Sequence, residues 1–148
     1  MNDLPLTPGR IAVIPEAAGP QFRPVPPAGR AAALAAAGAR PAVADLVLGR
    51  RGPYFLTVGT LEPRKGLPML LGAYERVLAA WPDAPRLVLA GRCGWHGRPI
   101  MDALARLEGS GRVEWLDGPM TPEVALLYAG ALALLFPSRY EGFGLPAL

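Results

Sequence analysis

One cysteine, one lysine and one histidine are all that this chain of 148 residues holds of those three types. A lone Cys93 excludes a disulfide framework and any cysteine-built zinc cluster, and fits a reducing compartment; with no His or Asp partner in view it reads as a small packing residue. His96 has no second histidine with which to share a metal or a catalytic dyad, and reads as a loop residue. No apolar run approaches the roughly 18 residues that a membrane helix needs. Met1 to Pro5 show neither the basic flank nor the apolar core of a signal peptide. Clustered positive charge is missing too: the formal charge is +3, but the cations are fourteen arginines and a single lysine. These are scattered, with no run longer than Arg50-Arg51, and no aromatics are interleaved with them, so no nucleic-acid partner is expected. What the chain has in plenty is Gly (18) and Pro (18), beside 51% apolar residues. Regular apolar segments separate the Gly and Pro clusters, which argues for a packed core rather than low complexity.

Before residue 53 the signals are weak. Ile11-Ala12-Val13-Ile14 reads as one short strand, and Pro15, Pro20, Pro24, Pro26 and Pro27 then block helix and central strand alike, as in a linker crossing a surface. Residues 28–40 are Ala-rich and helix-capable up to Gly38, and Val43 to Leu48 reads as a second weak helix; both are read as filler. From Tyr54 the rhythm changes. Buried strands are expected at Tyr54–Val58, Arg86–Ala90, Val113–Leu116 and Ala131–Phe136. Between them, helices are expected at Leu67–Trp81, with Leu70, Leu71, Tyr74, Val77 and Leu78 as its core stripe, at Ile100–Leu107, and from Thr121, as N-cap before Pro122, to about Ala129. Strands that are near-continuous apolar runs and alternate with helices predict an α/β fold, a parallel sheet with helices on both faces. Ligands of such sheets bind at the carboxyl ends of the strands. Those ends carry Gly59-Thr60, Gly91-Arg92 and the run from Pro137 to Glu141.

Lys65 sits in the loop after the first of these strands, beside Arg64 and just ahead of a helix. Two adjacent cations there suit a phosphate or diphosphate, the lysine as a point charge and the arginine as a fork, with helix-terminal amides as further donors. A solvated basic turn is the competing explanation, and position alone does not choose between them. The second cluster runs from Pro137 to Leu148. Gly142 and Gly144 let backbone amides approach a ligand, and Glu141 can accept hydrogen bonds from sugar hydroxyls. Gly91, Gly94 and Gly97 do not have the spacing of a nicotinamide fingerprint. Trp81, Trp95 and Trp115 are too far apart in sequence to suggest a stacking platform.

Taken together, Tyr54-Phe55-Leu56-Thr57-Val58-Gly59-Thr60-Leu61-Glu62-Pro63-Arg64-Lys65-Gly66 and Phe136-Pro137-Ser138-Arg139-Tyr140-Glu141-Gly142-Phe143-Gly144-Leu145-Pro146 resemble the retaining GT-B glycosyltransferases of the group-1 (glycogen-synthase-like) type. The resemblance runs from about Ile11 to Leu148. It implies that residues 1–52 are an interdomain linker with an Ala/Pro-rich lead-in, and that 53–148 are the Rossmann-like nucleotide-sugar donor-binding domain, the incomplete C-terminal half of a GT-B fold. It implies that Lys65 contacts the nucleotide diphosphate. Thr60 stands where the family commonly has an arginine, so Arg64 is the candidate for that charge. Glu141 resembles the first glutamate of a Glu–seven residues–Glu motif that holds donor-sugar hydroxyls. Gly142, Phe143, Gly144 and Leu145 match the loop that approaches the sugar and its phosphates. Gly91, with Arg92 and Cys93, matches the strand-end turn near the base and diphosphate, and Gly59 and Thr60 at the end of the first strand are expected to bind donor with them.

The expected reaction is transfer of a hexose from a GDP- or UDP-hexose to an acceptor hydroxyl with retention, the leaving phosphate taking the acceptor proton. No metal or other cofactor is expected, since no Asp-x-Asp pair appears. The Glu62-Pro63-Arg64-Lys65 loop is similar to that of GDP-mannose users. The chain stops where the second glutamate of the motif would fall, and the N-terminal acceptor domain is missing, so a fragment without transferase activity of its own is expected. The full enzyme would be cytoplasmic, with peripheral membrane contact if its acceptor is a lipid. Two other classes stay open: a nucleotide-sugar-binding or regulatory half-domain, and a phosphorylase-like enzyme of similar architecture.

Overall fold

The computed structural model describes Ala12 and residues 14–148. Ile11 and Val13 of the expected first strand lie outside the described residues; Ile14, its described end, is in no strand and is exposed. After a proline-rich stretch come helices α1 (Arg30–Ala36) and α2 (Pro41–Val47). Four strands and three helices then alternate: β1 (Tyr54–Val58), α3 (Leu67–Ala80), β2 (Arg86–Ala90), α4 (Arg98–Glu108), β3 (Val113–Leu116), α5 (Thr121–Gly130) and β4 (Ala133–Leu134). No described helix is long and apolar enough to cross a membrane.

All strand pairs are parallel, in the order β3-β2-β1-β4. Along β2 the side chains alternate between two cores, as the two-residue period of a strand requires. Leu87 and Leu89 meet α3 and α4 through Leu71, Tyr74, Ile100 and Leu104. Val88 and Ala90 face the other way, toward Leu46, Val47, Leu126 and Leu127 of α2 and α5. Helices therefore cover both faces, which is why the strands read as continuous apolar runs. The fold is α/β and Rossmann-like, as the sequence predicts.

Four local expectations are corrected. The Ala-rich stretch is not filler: Leu34, Val43, Leu46 and Val47 are all buried in the first core, so that core reaches well ahead of residue 53. Arg30 fastens this layer by donating to Ala129 O at 2.6 Å and Val47 O at 3.3 Å, the carbonyl ends of α5 and α2. Second, Val77 of the α3 stripe is 40% exposed, because the core side of that helix is narrower than the apolar spacing suggests. Third, Thr121 is the first residue of α5 and Met120 its N-cap, and the Met120 N–H donates to the Glu123 carboxylate at 2.9 Å. Fourth, β4 pairs only through Ala133 and Leu134. It lies at the edge of the described sheet, and β1 alone holds it, through Leu132 N to Tyr54 O (2.9 Å) and Leu135 N to Leu56 O (2.7 Å).

Candidate active site

The chain runs outward from β1 through β2 to β3, then crosses back so that β4 lands on the other side of β1. The order of strands reverses there, which makes the carboxyl ends of β1 and β4 the switch point at which such sheets bind ligands. The β1 loop places Pro63–Lys65 in one turn of 3-10 helix, closed by Gly66 in the left-handed region (φ 69°) as N-cap of α3. Gly66 also has no room for a side chain, since a Cβ there would stand 2.2 Å from Pro137 O. The loops after β1 and β4 can approach this closely only because that position is glycine. A backbone bond from Arg139 N to Arg64 O (2.9 Å) clasps them together.

The two sequence clusters meet at this clasp. Lys65 is buried, and its Nζ donates to Glu141 Oε1 at 2.6 Å. Arg64, more exposed, donates from Nη1 to Glu141 Oε2 at 3.2 Å and from Nε to Glu62 Oε2 at 2.8 Å. Burial alone would push the Glu141 carboxyl up. Hydrogen bonds from Lys65, Ser138 and Arg64, with the charge of Lys65, outweigh it and hold the group below its ordinary value. The Phe136 ring lies 6.0 Å from Nζ, at the outer limit of a cation–π contact. The crevice at the base of Lys65, lined by Gly59, Leu61, Phe136 and Ser138, holds only about 10 Å³.

The loop after β2 closes against the β1 loop. Leu61 N donates to Arg92 O at 2.8 Å, Gly94 N to Leu61 O at 3.2 Å, and Leu61 bridges to Cys93. Gly91 is required here, because a Cβ on it would lie 2.0 Å from Gly59 O. Thr60 packs near the Gly94 α-carbon, and the Arg92 side chain lies along Gly118. Cys93 is exposed and not the packing residue expected, since only its backbone joins the bridge. Gly142, Phe143 and Leu145 are exposed, on the outward flank of Glu141. The α3 terminus has fewer amide donors than the sequence suggests, because Pro68 stands in its first turn.

Lys65, Arg64 and Glu141 are thus in direct contact, with Gly59 and Gly91 beneath them, and Thr60 and Arg92 on the β2 side. Sequence reasoning missed Ser138, Phe136, and Trp115, whose Nε1 pins Gly91 O at 2.8 Å. It also gave no role to Glu62, whose carboxylate accepts from Arg64 Nε. A larger cavity, about 610 Å³, lies elsewhere, between residues 17–25, α5 and the last residues, with Phe22, Val58, Tyr128 and Leu148 in its walls. It is apolar and separate from the charged cluster.

A Rossmann-like domain with a charged, glycine-walled cluster at its switch point defines a ligand-binding α/β class. Residues 43–148 match the family "Glycosyl transferases group 1", and the chain belongs to that family. It is 36% identical over 95 residues to O-antigen chain mannosyltransferase B of Escherichia coli, covering 64% of this chain and 25% of that protein. It is also 36% identical over 97 residues to the serotype-specific mannosyltransferase WbdA of Escherichia coli (65% of this chain, 12% of that protein). A glycogen synthase of Deinococcus radiodurans is 33% identical over 97 residues (65% and 20%). The chain thus spans a quarter or less of the length of these relatives.

Proposed function

We propose that this chain is the donor-binding part of a retaining hexosyltransferase that uses a nucleotide diphosphate sugar. The observation that carries the reading is the meeting of Lys65, Arg64 and Glu141 at the β1–β4 switch point, although 76 residues separate Lys65 from Glu141. In the reaction the bond from the anomeric carbon to the diphosphate breaks, and a bond to the acceptor oxygen forms on the same face. The acceptor proton passes to the departing phosphate. Lys65 and Arg64 meet the negative charge that grows on that phosphate, stabilisation of the kind that works best from groups already in place. Glu141 accepts hydrogen bonds from sugar hydroxyls and orients the ring; it is not a general base. Gly59, Thr60, Gly91 and Arg92 line the side taken by the nucleotide, and Gly142 to Leu145 the side taken by the sugar. Side-chain cations do the work that a metal ion does elsewhere.

Mannose is the proposed sugar and GDP the proposed carrier, on the strength of relatives named as mannosyltransferases and of the Glu62–Lys65 loop. The nucleophile is a hydroxyl of the acceptor, held by a domain other than this one, so the chain alone binds donor without transferring its sugar. Its single cysteine supports a reducing, cytoplasmic setting. The reading is tested by titrating GDP-mannose and UDP-glucose calorimetrically into the chain and its Lys65→Ala variant. Binding that Lys65→Ala weakens at least about tenfold is expected, as for loss of a charge-assisted hydrogen bond. Equal affinities for both proteins refute the assignment of Lys65.

A further inference from the structure

The charged cluster is closed upon itself. One carboxylate spends its two oxygens on the two cations that an incoming diphosphate would use, at 2.6 Å from Lys65 and 3.2 Å from Arg64. The Lys65 side chain is only 11% exposed. The space at its base, about 10 Å³, is at or below what one ordered water requires. A diphosphate therefore reaches Nζ only by displacing Glu141. The segment that carries Glu141 suits such a movement. It is tied at one end by the Arg139–Arg64 backbone bond and at the other by Tyr128, whose hydroxyl donates to Pro146 O at 2.9 Å. Between these anchors Tyr140 is 74% and Phe143 52% exposed, and the Gly142 α-carbon faces open space.

We infer that Glu141 is a displaceable counter-ion that couples diphosphate binding to the presence of the sugar. This rests on the donor-binding reading above and adds a device to it. Displaced from Lys65, the carboxylate needs new hydrogen-bond donors. A nucleotide sugar brings hydroxyls that supply them. A bare nucleoside diphosphate has hydroxyls only on its ribose, on the other side of the diphosphate from the missing hexose, and must compete with the returning carboxylate for the same ammonium. The site thereby favours substrate over product, and after transfer the return of Glu141 to Lys65 helps expel the diphosphate.

The test titrates inorganic pyrophosphate, GDP and GDP-mannose into the wild-type chain and into Glu141→Gln, Glu141→Ala and Lys65→Ala, with circular dichroism to verify folding. Removing the competing charge is expected to tighten pyrophosphate and GDP about tenfold in both Glu141 variants, the worth of one charge-assisted contact. GDP-mannose should gain less, so that the preference for the sugar nucleotide over GDP shrinks. Pyrophosphate and GDP bound no more tightly by either Glu141 variant, while Lys65→Ala still weakens them, overturns the counter-ion role and leaves the donor site standing. Affinities unmoved by Lys65→Ala, or no binding to any of the four proteins, overturn both.

Discussion

Glu123 is almost wholly buried, with 1% of its surface exposed, yet it carries a charge. Its carboxylate accepts from Arg40 N at 2.9 Å, Arg40 Nε at 3.1 Å and Met120 N at 2.9 Å. Arg40 and Met120 are the N-caps of α2 and α5, so one side chain ties together the starts of two helices that pack on the same face of the sheet. Replacing it with alanine strands two backbone N–H groups, each worth about 1–3 kcal/mol when left unsatisfied. The Arg40 guanidinium, 42% exposed at its side chain, keeps its bond from Nη1 to Asp117 O at 3.0 Å, so its lost ion pair adds little. Glu123→Ala should therefore cost about 3–4 kcal/mol, a fall in melting temperature on the order of 10 °C for a domain of this size. Glu123→Gln keeps one acceptor and should cost about half as much.

The same group sets a pH dependence. Burial pushes the Glu123 carboxyl up, but hydrogen bonds from the Arg40 and Met120 backbone and from the Arg40 side chain overcome this, leaving it below its ordinary 4.5. A carboxyl depressed by folding binds its proton more readily in the unfolded chain. Its contribution is thus full above 4.5 and is lost as pH falls through the lower folded value. Urea unfolding followed by circular dichroism at pH 7 and at steps below 4.5 measures both effects. The gap between wild type and Glu123→Gln should narrow on acidification. A Glu123→Ala loss under about 0.5 kcal/mol, the size of an ordinary surface change, refutes the reasoning, as does a gap that stays constant with pH.

Two further substitutions probe how the site is positioned. Gly66→Ala must adopt a left-handed backbone and force its Cβ against Pro137 O, so a loss of at least about 2 kcal/mol in the same unfolding assay is expected; an unchanged midpoint would mean that the two loops are not held at this distance. Leu46→Ala, in the helix taken for filler, removes a side chain 1% exposed in the first core and should cost about 3 kcal/mol. A loss below about 1 kcal/mol would return α2 to the status of a lead-in segment.

Each central strand was legible in the sequence because it is a short, unbroken apolar run stopped by glycine or a turn; β1, β2 and β3 fall where the hydropathy puts them. The chemistry-bearing loops were legible for the same reason, since a parallel strand that ends in glycine advertises the place where ligands bind. Resemblance to a family added roles for Lys65, Arg64 and Glu141 that spacing alone left open. Ala-rich α1 and α2 were not readable as core, because alanine fits a buried helix face and an exposed one alike. Leu34, Val43, Leu46 and Val47 take their meaning only from the sheet beneath them. Cys93 and Val77 were misread because burial depends on what packs above a residue, not on its own hydropathy.

Local sequence thus determined which segments are strands and helices, and which loops end in charge and glycine, since these follow from short-range sterics and the period of apolar residues. Tertiary structure alone decided that β4 returns beside β1 instead of following β3, a choice made by packing between segments far apart in the chain. That single placement brings the ammonium of Lys65 to the carboxylate of Glu141 and turns two loops into one site.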